Sequence, residues 1–286
     1  LFGSADGTVT SLRASDGALS WRFRAAPVER QIMVYGRLSS TWPVNTGVMV
    51  HEGVAYFAAG IIDHDGTYVY ALDAKTGKIK WQNNSSGHLS GELRKGISAQ
   101  GNLSVLGDQL LLAGGNQVSP AIYDIKTGEC RSKPFAQGQP KANGGQFVGV
   151  YNNVSVIAGG RILYSDPRNV ATKGKFTIFA EKKALQMNYG GIPPAWTDQT
   201  LAMVNFKHGK LICCNGPAVT KQLTSGYGEA ATKPAMRRFL TISKVLEAAG
   251  LTRWQSDMNG AEKFETVSIA VAENAVVAVV RMQQKV

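Results

Sequence analysis

Short apolar runs that flank polar turns recur along the chain, and this pattern predicts β-hairpins. Four stretches have this form, namely residues 47–60, 103–115, 147–160 and 267–280. Their turns are centred on His51–Gly53, Gly107–Asp108, Asn152–Asn153 and Glu273–Asn274. A single hairpin is only marginally stable in water, so we expect these units to stack on one another.

One strand–turn–strand unit also repeats in the sequence itself. Residues 7–21 align without gaps with residues 67–81, and the alignment matches Leu12 with Leu72, Gly17 with Gly77 and Trp21 with Trp81. A weaker third copy at residues 121–130 retains Asp124, Thr127 and Gly128. A unit that recurs in this way is typical of repeat architectures.

Each of the two better copies has a glycine in its turn and a tryptophan at the end of its second strand. Gly77 allows a backbone conformation that other residues adopt only at a cost. We expect Trp21 and Trp81 to pack between neighbouring sheets, because an indole buries a large area. Pairs of hairpins that form four-stranded units are the blades of β-propellers. The sequence therefore predicts an all-β fold, a β-propeller of four-stranded blades with about six blade equivalents.

The most complete copy, Ala71-x-Asp73-x-x-Thr76-Gly77-Lys78-x-x-Trp81, resembles the tryptophan-docking repeat of the pyrroloquinoline-quinone (PQQ) β-propellers. The match is partial at residues 11–21 and poor at 122–132, where Ser132 stands in the tryptophan position. The resemblance implies a bacterial protein in a periplasmic or secreted location. We expect residues 1–286 to form a single domain, an incomplete propeller from a longer protein, since no initiator Met is present and no tryptophan repeat follows the last hairpin.

One segment departs from the strand pattern. Residues 233–250 carry apolar side chains at helical spacing, with Pro234 near the start and Gly250 at the end. These are the usual signals for the beginning and end of a helix. We therefore predict one helical insertion near 233–250, within an excursion from the sheet over about 217–252.

The resemblance implies two classes of function. Many propellers with this repeat bind no quinone and some resemble outer-membrane assembly scaffolds, so a non-catalytic scaffold without a cofactor is the leading hypothesis. The alternative is a dehydrogenase that depends on PQQ and calcium. In quinoprotein alcohol dehydrogenases two adjacent cysteines form a disulfide beside the quinone, and Cys213 and Cys214 are adjacent here. The other interpretation is that the two cysteines have no role at a cofactor. Alternation along their short apolar strand would place one sulfur in the core and one outside. A free cysteine behaves as a small apolar side chain.

A calcium site would need six to eight oxygen ligands. Asp63 and Asp65 form the densest acidic spot and are the candidate metal ligands, although a short acidic turn is also an ordinary hairpin connection. The catalytic aspartate and the calcium ligands of the dehydrogenases have no match in this sequence. The histidines are scattered without metal-ligand spacing, and the three cysteines provide no disulfide framework.

The formal net charge is +11, but the basic residues are dispersed. Dispersion disfavours specific binding to nucleic acid and favours a solvated basic surface. The resemblance to the propeller family implies a protein partner or an extracellular polymer as the ligand. A third hypothesis is a propeller that binds glycans or polyanions, with a sugar surface formed by Tyr35, Trp42, Trp196 and Tyr227. Packing inside or between blades is the alternative for these aromatic residues. The sequence shows no membrane span.

Overall fold

The computed structural model describes residues 1–34, 36–87, 96–115, 118–132, 145–152, 155–159, 176–180, 183–188, 192–205, 210–224, 251–258 and 264–282. They belong to two compact units, Leu1–Gly149 and Val150–Val286. The single domain expected over 1–286 stays a prediction.

The first unit consists of small antiparallel sheets in which each strand pairs with the next one along the chain. The first sheet contains β1 (Phe2–Gly3), β2 (Thr8–Leu12) and β3 (Leu19–Arg24). A separate hairpin contains β4 (Gln31–Val34) and β5 (Arg37–Ser40). The second sheet contains β6 (Met49–His51), β7 (Val54–Ala59), β8 (Tyr68–Asp73) and β9 (Ile79–Asn83), with a 3₁₀ helix at Asp63–Asp65 between β7 and β8. The third sheet contains β10 (Leu103–Leu106), β11 (Gln109–Leu112) and β12 (Ala121–Asp124).

The second unit continues the same design. One four-stranded sheet contains β13 (Phe147–Tyr151), which begins before the boundary between the units, β14 (Ser155–Gly159), β15 (Phe176–Ala180) and β16 (Lys183–Asn188). The next contains β17 (Ala195–Trp196), β18 (Thr200–Asn205), β19 (Lys210–Asn215) and β20 (Thr252–Asp257). The last hairpin contains β21 (Phe264–Val271) and β22 (Val276–Met282). Helix α1 (Gly216–Thr224) follows β19.

All four hairpins predicted from the apolar runs are present, as β6–β7, β10–β11, β13–β14 and β21–β22. In the first of them Glu52 and Gly53 both have positive φ values, 48° and 72°. Two successive positive φ values define a type I′ turn. The twist of this turn matches the right-handed twist of two strands joined by a two-residue loop. The helix predicted over 233–250 lies outside the described residues, but α1 (Gly216–Thr224) lies at the start of the same excursion.

The second sheet packs against a neighbouring sheet on each of its two faces. Tyr70 and Leu72 belong to a cluster shared with the first sheet, whereas Val69 and Ala71 belong to a cluster shared with the third sheet. All four residues are at most 4% exposed. Full burial of one such large side chain stabilises the fold by roughly 1.5–3 kcal/mol. A strand packed between two neighbouring sheets explains why β8 is buried at four successive positions, 69–72, rather than at alternate positions.

Candidate functional site

Two tryptophans connect successive sheets of the first unit. The Trp21 indole N–H donates to the carbonyl oxygen of Ala74 over 3.1 Å, and the Trp81 indole N–H donates to that of Ile125 over 2.9 Å. Each ring also lies against the glycine of the turn it meets. A methyl group added at Gly77 would lie 2.8 Å from Cδ2 of Trp21, and one at Gly128 would lie even closer to Trp81. Each indole therefore packs directly against the backbone of a turn glycine, in space that a side chain would otherwise occupy.

The turn that receives the indole is closed by its first residue. Gly77 N–H donates to the carbonyl oxygen of Asp73, and Oδ1 of Asp73 accepts from the amide and the hydroxyl of Thr76, each over 2.8 Å. Asp124 makes the equivalent bonds in the next turn, where its Oδ1 accepts from the amides of Lys126 and Thr127. The backbone N–H of Thr127 is the main cause that lowers the pKa of Asp124, to about 2. The carboxylates of Asp73 and Asp124 therefore stabilise the turns that receive the indoles.

The first copy of the repeat builds the same turn with different side chains. Gly17 N–H donates to the carbonyl oxygen of Arg13 over 2.9 Å, and Arg13 N–H donates to that of Ala18 over 2.8 Å. Arg13 stands where the other copies have aspartate, and its guanidinium pairs with Asp16 at 2.6 Å. A Cβ placed on Gly17 would meet nothing within 4 Å, so no indole covers this turn.

A further copy of the repeat, which the sequence did not reveal, ends at Trp254. Trp254 on β20 pairs with Cys213 on β19, and a bulge follows between Cys213 and Cys214. Trp81 pairs with Ala71 in the same way, with a bulge between Ala71 and Leu72. The two cysteines therefore occupy the Ala71 and Leu72 positions of the repeat.

The turn of this copy has been replaced by an insertion. Asn215 takes the place of Asp73: its N–H donates to the carbonyl oxygen of Leu251 over 2.8 Å, and its Oδ1 accepts from Ala218 N–H over 3.0 Å. Residues 216–250 thus separate Asn215 from Leu251 in the sequence, whereas only residues 74–77 separate Asp73 from Lys78. The same side-chain cap that closes a tight turn elsewhere caps the N-terminus of α1 here.

Cys213 and Cys214 are both buried, at 2% and 0% exposure, and both are free thiols. The expectation that one sulfur would face outwards is wrong, because β19 lies inside a four-stranded sheet and is buried on both faces. Burial raises the pKa of Cys213, and it raises that of Cys214 to about 12. A buried thiol with a raised pKa is a poor nucleophile and behaves as a small apolar side chain.

The two candidate metal ligands face different partners. Asp63 is 4% exposed, and its Oδ2 accepts from Gly96 N–H over 3.0 Å. Asp65 pairs with Arg30 over 2.9 Å, and its carbonyl oxygen accepts from the Trp42 indole over 2.7 Å. Within the described ranges, no three His, Cys, Asp or Glu side chains come together as a metal-binding group. The carboxylate of Asp63 therefore fixes the backbone at Gly96, and that of Asp65 fixes the side chain of Arg30.

The other singled-out residues are dispersed. His51 lies at the end of β6 and His64 lies in the 3₁₀ helix, whereas His88 and His208 fall outside the described residues. Trp42 is buried, and the indole N–H of Trp196 donates to the carbonyl oxygen of Val150. Tyr35 and Tyr227 are outside the described residues. The two described tryptophans therefore pack inside their units and do not form an open sugar surface.

The hairpin β4–β5 exposes apolar side chains and was not predicted as a hairpin. Met33 and Leu38 are paired across the two strands and are 68% and 64% exposed. The end of β5 is hydrogen-bonded to the connection between β1 and β2, where Ser40 N–H donates to the carbonyl oxygen of Ala5 over 2.8 Å. The sequence did contain one signal for this hairpin, the turn glycine Gly36 between the two strands of four residues each. In the structure Gly36 has a φ of 76°.

A polar recess of about 340 Å³ lies beside this hairpin. Its lining includes Arg22, Arg24 and Arg30. Arg22 pairs with Asp6 at 2.9 Å and Arg24 with Glu29 at 3.5 Å, and all four of these side chains are largely exposed. Exposed ion pairs contribute little to stability and exchange partners readily. The hairpin and the recess together form a basic surface with an apolar centre, which we name the hairpin surface.

The docked indoles, the glycine turns and the antiparallel four-stranded units define a β-propeller of the PQQ-repeat class. Over residues 1–215 the chain matches the family described as outer membrane protein assembly factor BamB, and it belongs to that family. The expectations of family and fold class are thus confirmed. In the described part of the chain, no helix has both the length and the apolar character that a membrane crossing requires.

Solved structures with related folds were also found, whereas a comparison with curated protein sequences found no match. BamB from Moraxella catarrhalis is 11% identical, with a TM-score of 0.47 and coverage of 96% of this chain and 77% of that chain. The quinohemoprotein alcohol dehydrogenase ADHIIG from Pseudomonas putida HK5 is 11% identical, with a TM-score of 0.42 and coverage of 75% and 55%. The Dos1 propeller is 14% identical, with a TM-score of 0.44 and coverage of 76% and 53%. The chain spans about half the length of the last two.

Proposed function

We propose that this protein is a non-catalytic scaffold propeller that binds a protein partner outside the cytoplasmic membrane, in the periplasm or as a secreted protein. The observation that carries the proposal is the exposed cross-strand pair Met33–Leu38 on a hairpin that stands apart from the sheets. Adjacent exposed apolar residues with a polar rim are typical of protein-binding surfaces. Membership of a family of outer-membrane assembly factors supports a protein as the ligand.

The charges around the pair indicate what the partner should carry. Arg22, Arg24 and Arg30 line the recess, and Arg37 follows the hairpin turn. Arg22 and Arg24 are paired with the exposed carboxylates of Asp6 and Glu29, which a partner's acidic groups can replace. Complementary charge increases the rate of association and selects the partner. We therefore infer a partner whose contact surface combines apolar and acidic side chains.

The contacts of the candidate metal ligands and of the candidate quinone-adjacent cysteines also support binding over catalysis. Asp63 and Asp65 are engaged by Gly96 and Arg30, and the two adjacent cysteines occupy buried positions of the repeat. Each of these residues therefore has a structural function that accounts for its presence.

Site-specific photo-crosslinking in cells of the source organism tests the proposal. A photo-reactive residue at Met33 should form an adduct with one envelope protein, to be identified by mass spectrometry and then purified. The affinity of this purified partner for the propeller should fall at least tenfold when the propeller carries Met33→Asp/Leu38→Asp. The affinity should remain unchanged when the propeller carries Ile79→Asp. Ile79 is a suitable control because it is an apolar strand residue that is 52% exposed. Equal affinity for both variants would contradict the proposal.

A second experiment addresses the alternative, a dehydrogenase that depends on PQQ and calcium. Purified protein is mixed with PQQ and Ca²⁺ and passed over a sizing column. We expect the quinone absorbance to elute apart from the protein. Stoichiometric co-elution that depends on calcium would overturn the non-catalytic assignment.

A further inference from the structure

The hairpin β4–β5 has one strand edge whose backbone groups are free. Thr41 N–H donates to the carbonyl oxygen of Arg30 over 2.9 Å, so these two residues form a hydrogen-bonded pair at the base of the hairpin. Hydrogen-bonded and non-hydrogen-bonded pairs alternate along two antiparallel strands. Gln31 and Met33 on β4 therefore belong to pairs of the second kind, and their backbone N–H and C=O groups point away from β5.

The two edges of the hairpin differ in what lies beside them. On β5, the outward N–H of Ser40 donates to the carbonyl oxygen of Ala5 over 2.8 Å, which agrees with the alternation. On β4, the outward groups of Gln31 and Met33 have no hydrogen-bond partner in the described part of the chain, where β4 pairs with β5 alone. The edge of β4, which lies in the connection between the first and second sheets of one unit, is therefore open to a further strand.

This edge also lacks the features that protect an exposed strand from pairing. Such strands usually carry a charged side chain, a proline or a bulge. The last strands of the first two sheets, β3 and β9, carry Arg22 and Lys80, whereas β4 reads Gln-Ile-Met-Val and pairs with β5 without a bulge. Ile32 and Met33 lie on opposite faces of β4 and are 38% and 68% exposed. An added strand would thus cover apolar side chains on both faces.

The polar recess determines which side chains the added strand should carry. Gln31 lines the recess and lies on the same face of β4 as Met33, two positions away. Arg22 and Arg24 line the same recess, and their carboxylate partners are exposed. A side chain beside Gln31 would therefore meet guanidinium groups, and one beside Met33 would meet an apolar side chain. A second copy of β4 would bring no carboxylate to the recess, since residues 31–34 contain none.

We propose that the protein partner adds an extended segment as a third strand along the outer edge of β4. This inference rests on the proposed function and specifies how the partner binds. The segment carries an acidic side chain beside Gln31 and an apolar side chain beside Met33, two residues apart on one face. Backbone hydrogen bonds to Gln31 and Met33 contribute affinity, and the side chains at alternate positions contribute specificity.

Binding of the partner captured at Met33, measured by titration calorimetry, tests strand addition. Gln31→Pro removes an outward N–H but no hydrogen bond within the hairpin, a position that an edge strand tolerates. Gln31→Ala is the matched variant, because it removes the same side chain and keeps the N–H. The proline variant should bind the partner at least tenfold more weakly than the alanine variant. Circular dichroism should show that both variants are folded.

Hydrogen exchange at single amides gives a second measurement that needs no substitution. The Met33 N–H has no partner in the free protein and should exchange rapidly. In the complex it should exchange at least tenfold more slowly, because the added strand accepts its hydrogen bond. Docking through side chains alone would leave this amide exchanging rapidly.

The outcomes separate this inference from the proposed function. Strand addition is overturned if the proline and alanine variants at Gln31 bind equally, or if the Met33 amide exchanges as fast in the complex as in the free protein. Either result leaves the proposed function intact as long as Met33→Asp/Leu38→Asp weakens binding. Normal binding by that double variant, or failure to capture any partner at Met33, overturns the proposed function and strand addition together.

Discussion

The indole N–H of Trp81 donates to the carbonyl oxygen of Ile125 while its ring covers Gly128 three residues later. A side chain of the second sheet therefore satisfies a backbone group of the third sheet and fills the space that a Cβ would need. Trp21 repeats this relationship with Ala74 and Gly77. The contact between successive sheets is thus specified by a hydrogen bond and a glycine as well as by apolar area.

Gly128→Ala should destabilise the first unit by about 2–4 kcal/mol, because the methyl group meets both the Trp81 ring and a φ of 74°. Urea unfolding measures the change. Gly107→Ala is the control, since its φ is also positive but its surroundings are open, and it should cost only about 1–2 kcal/mol. Equal losses in the two variants would show that the indole contact contributes nothing.

Trp81→Phe keeps an aromatic ring and removes the N–H that bonds to Ile125. We expect a loss of about 1–2 kcal/mol, from one hydrogen bond and part of the buried area. Trp254→Phe, in which an exposed indole is changed, should alter stability by no more than about 0.5 kcal/mol under dilute conditions. Thermal unfolding of both variants provides the comparison, and similar melting temperatures would contradict it.

Asp124 should contribute to acid sensitivity. Its pKa in the folded protein is lowered from 3.8 to about 2, chiefly by the Thr127 backbone N–H. A lowered folded pKa means that the stabilisation is present above pH 3.8 and is lost as pH falls towards about 2. The difference in melting temperature between the unmodified protein and Asp124→Asn should therefore shrink over this window. A difference that stays constant down to pH 2 would argue against this role.

Cys213→Ala/Cys214→Leu should be tolerated, because it restores the residues that the repeat has at Ala71 and Leu72. Apolar exchanges that preserve the pattern of a core commonly cost less than about 1.5 kcal/mol. Cys214→Ser is the contrasting variant, since a buried hydroxyl without a partner costs about 1–3 kcal/mol. Denaturant unfolding should separate the two variants. Loss of folding in the Ala/Leu variant would show that the thiols have a role beyond filling space.

Unmodified Cys213 and Cys214 should also resist alkylation. In a Cys130→Ser background, the two buried thiols should react with iodoacetamide at neutral pH only after denaturation, because burial raises the pKa of both. Mass spectrometry of native and denatured samples gives the extent of labelling. Rapid labelling of the native protein would contradict the burial of these residues.

The sequence by itself determined the local units. The run of apolar residues on either side of Glu52–Gly53 predicts a hairpin, because alternation and turn geometry depend on neighbouring residues only. The recurrence of Gly77 and Trp81 as Gly17 and Trp21 likewise identified the class of fold, since the two copies share a turn glycine and a tryptophan at the same spacing. The hairpin β4–β5 escaped this reasoning because its two strands are short and its exposed Met33 and Leu38 do not follow a half-buried pattern.

The tertiary structure alone decided how these units meet. Trp254 pairs with Cys213 across the insertion 216–250, so no local pattern could connect the two residues. Cys213 is buried because other elements cover both faces of β19, which alternation along one strand cannot reveal. Gly17 and Gly77 have the same turn geometry, yet one is open and the other covered. Local sequence sets the shape of a turn, whereas its neighbours in space determine whether it is filled.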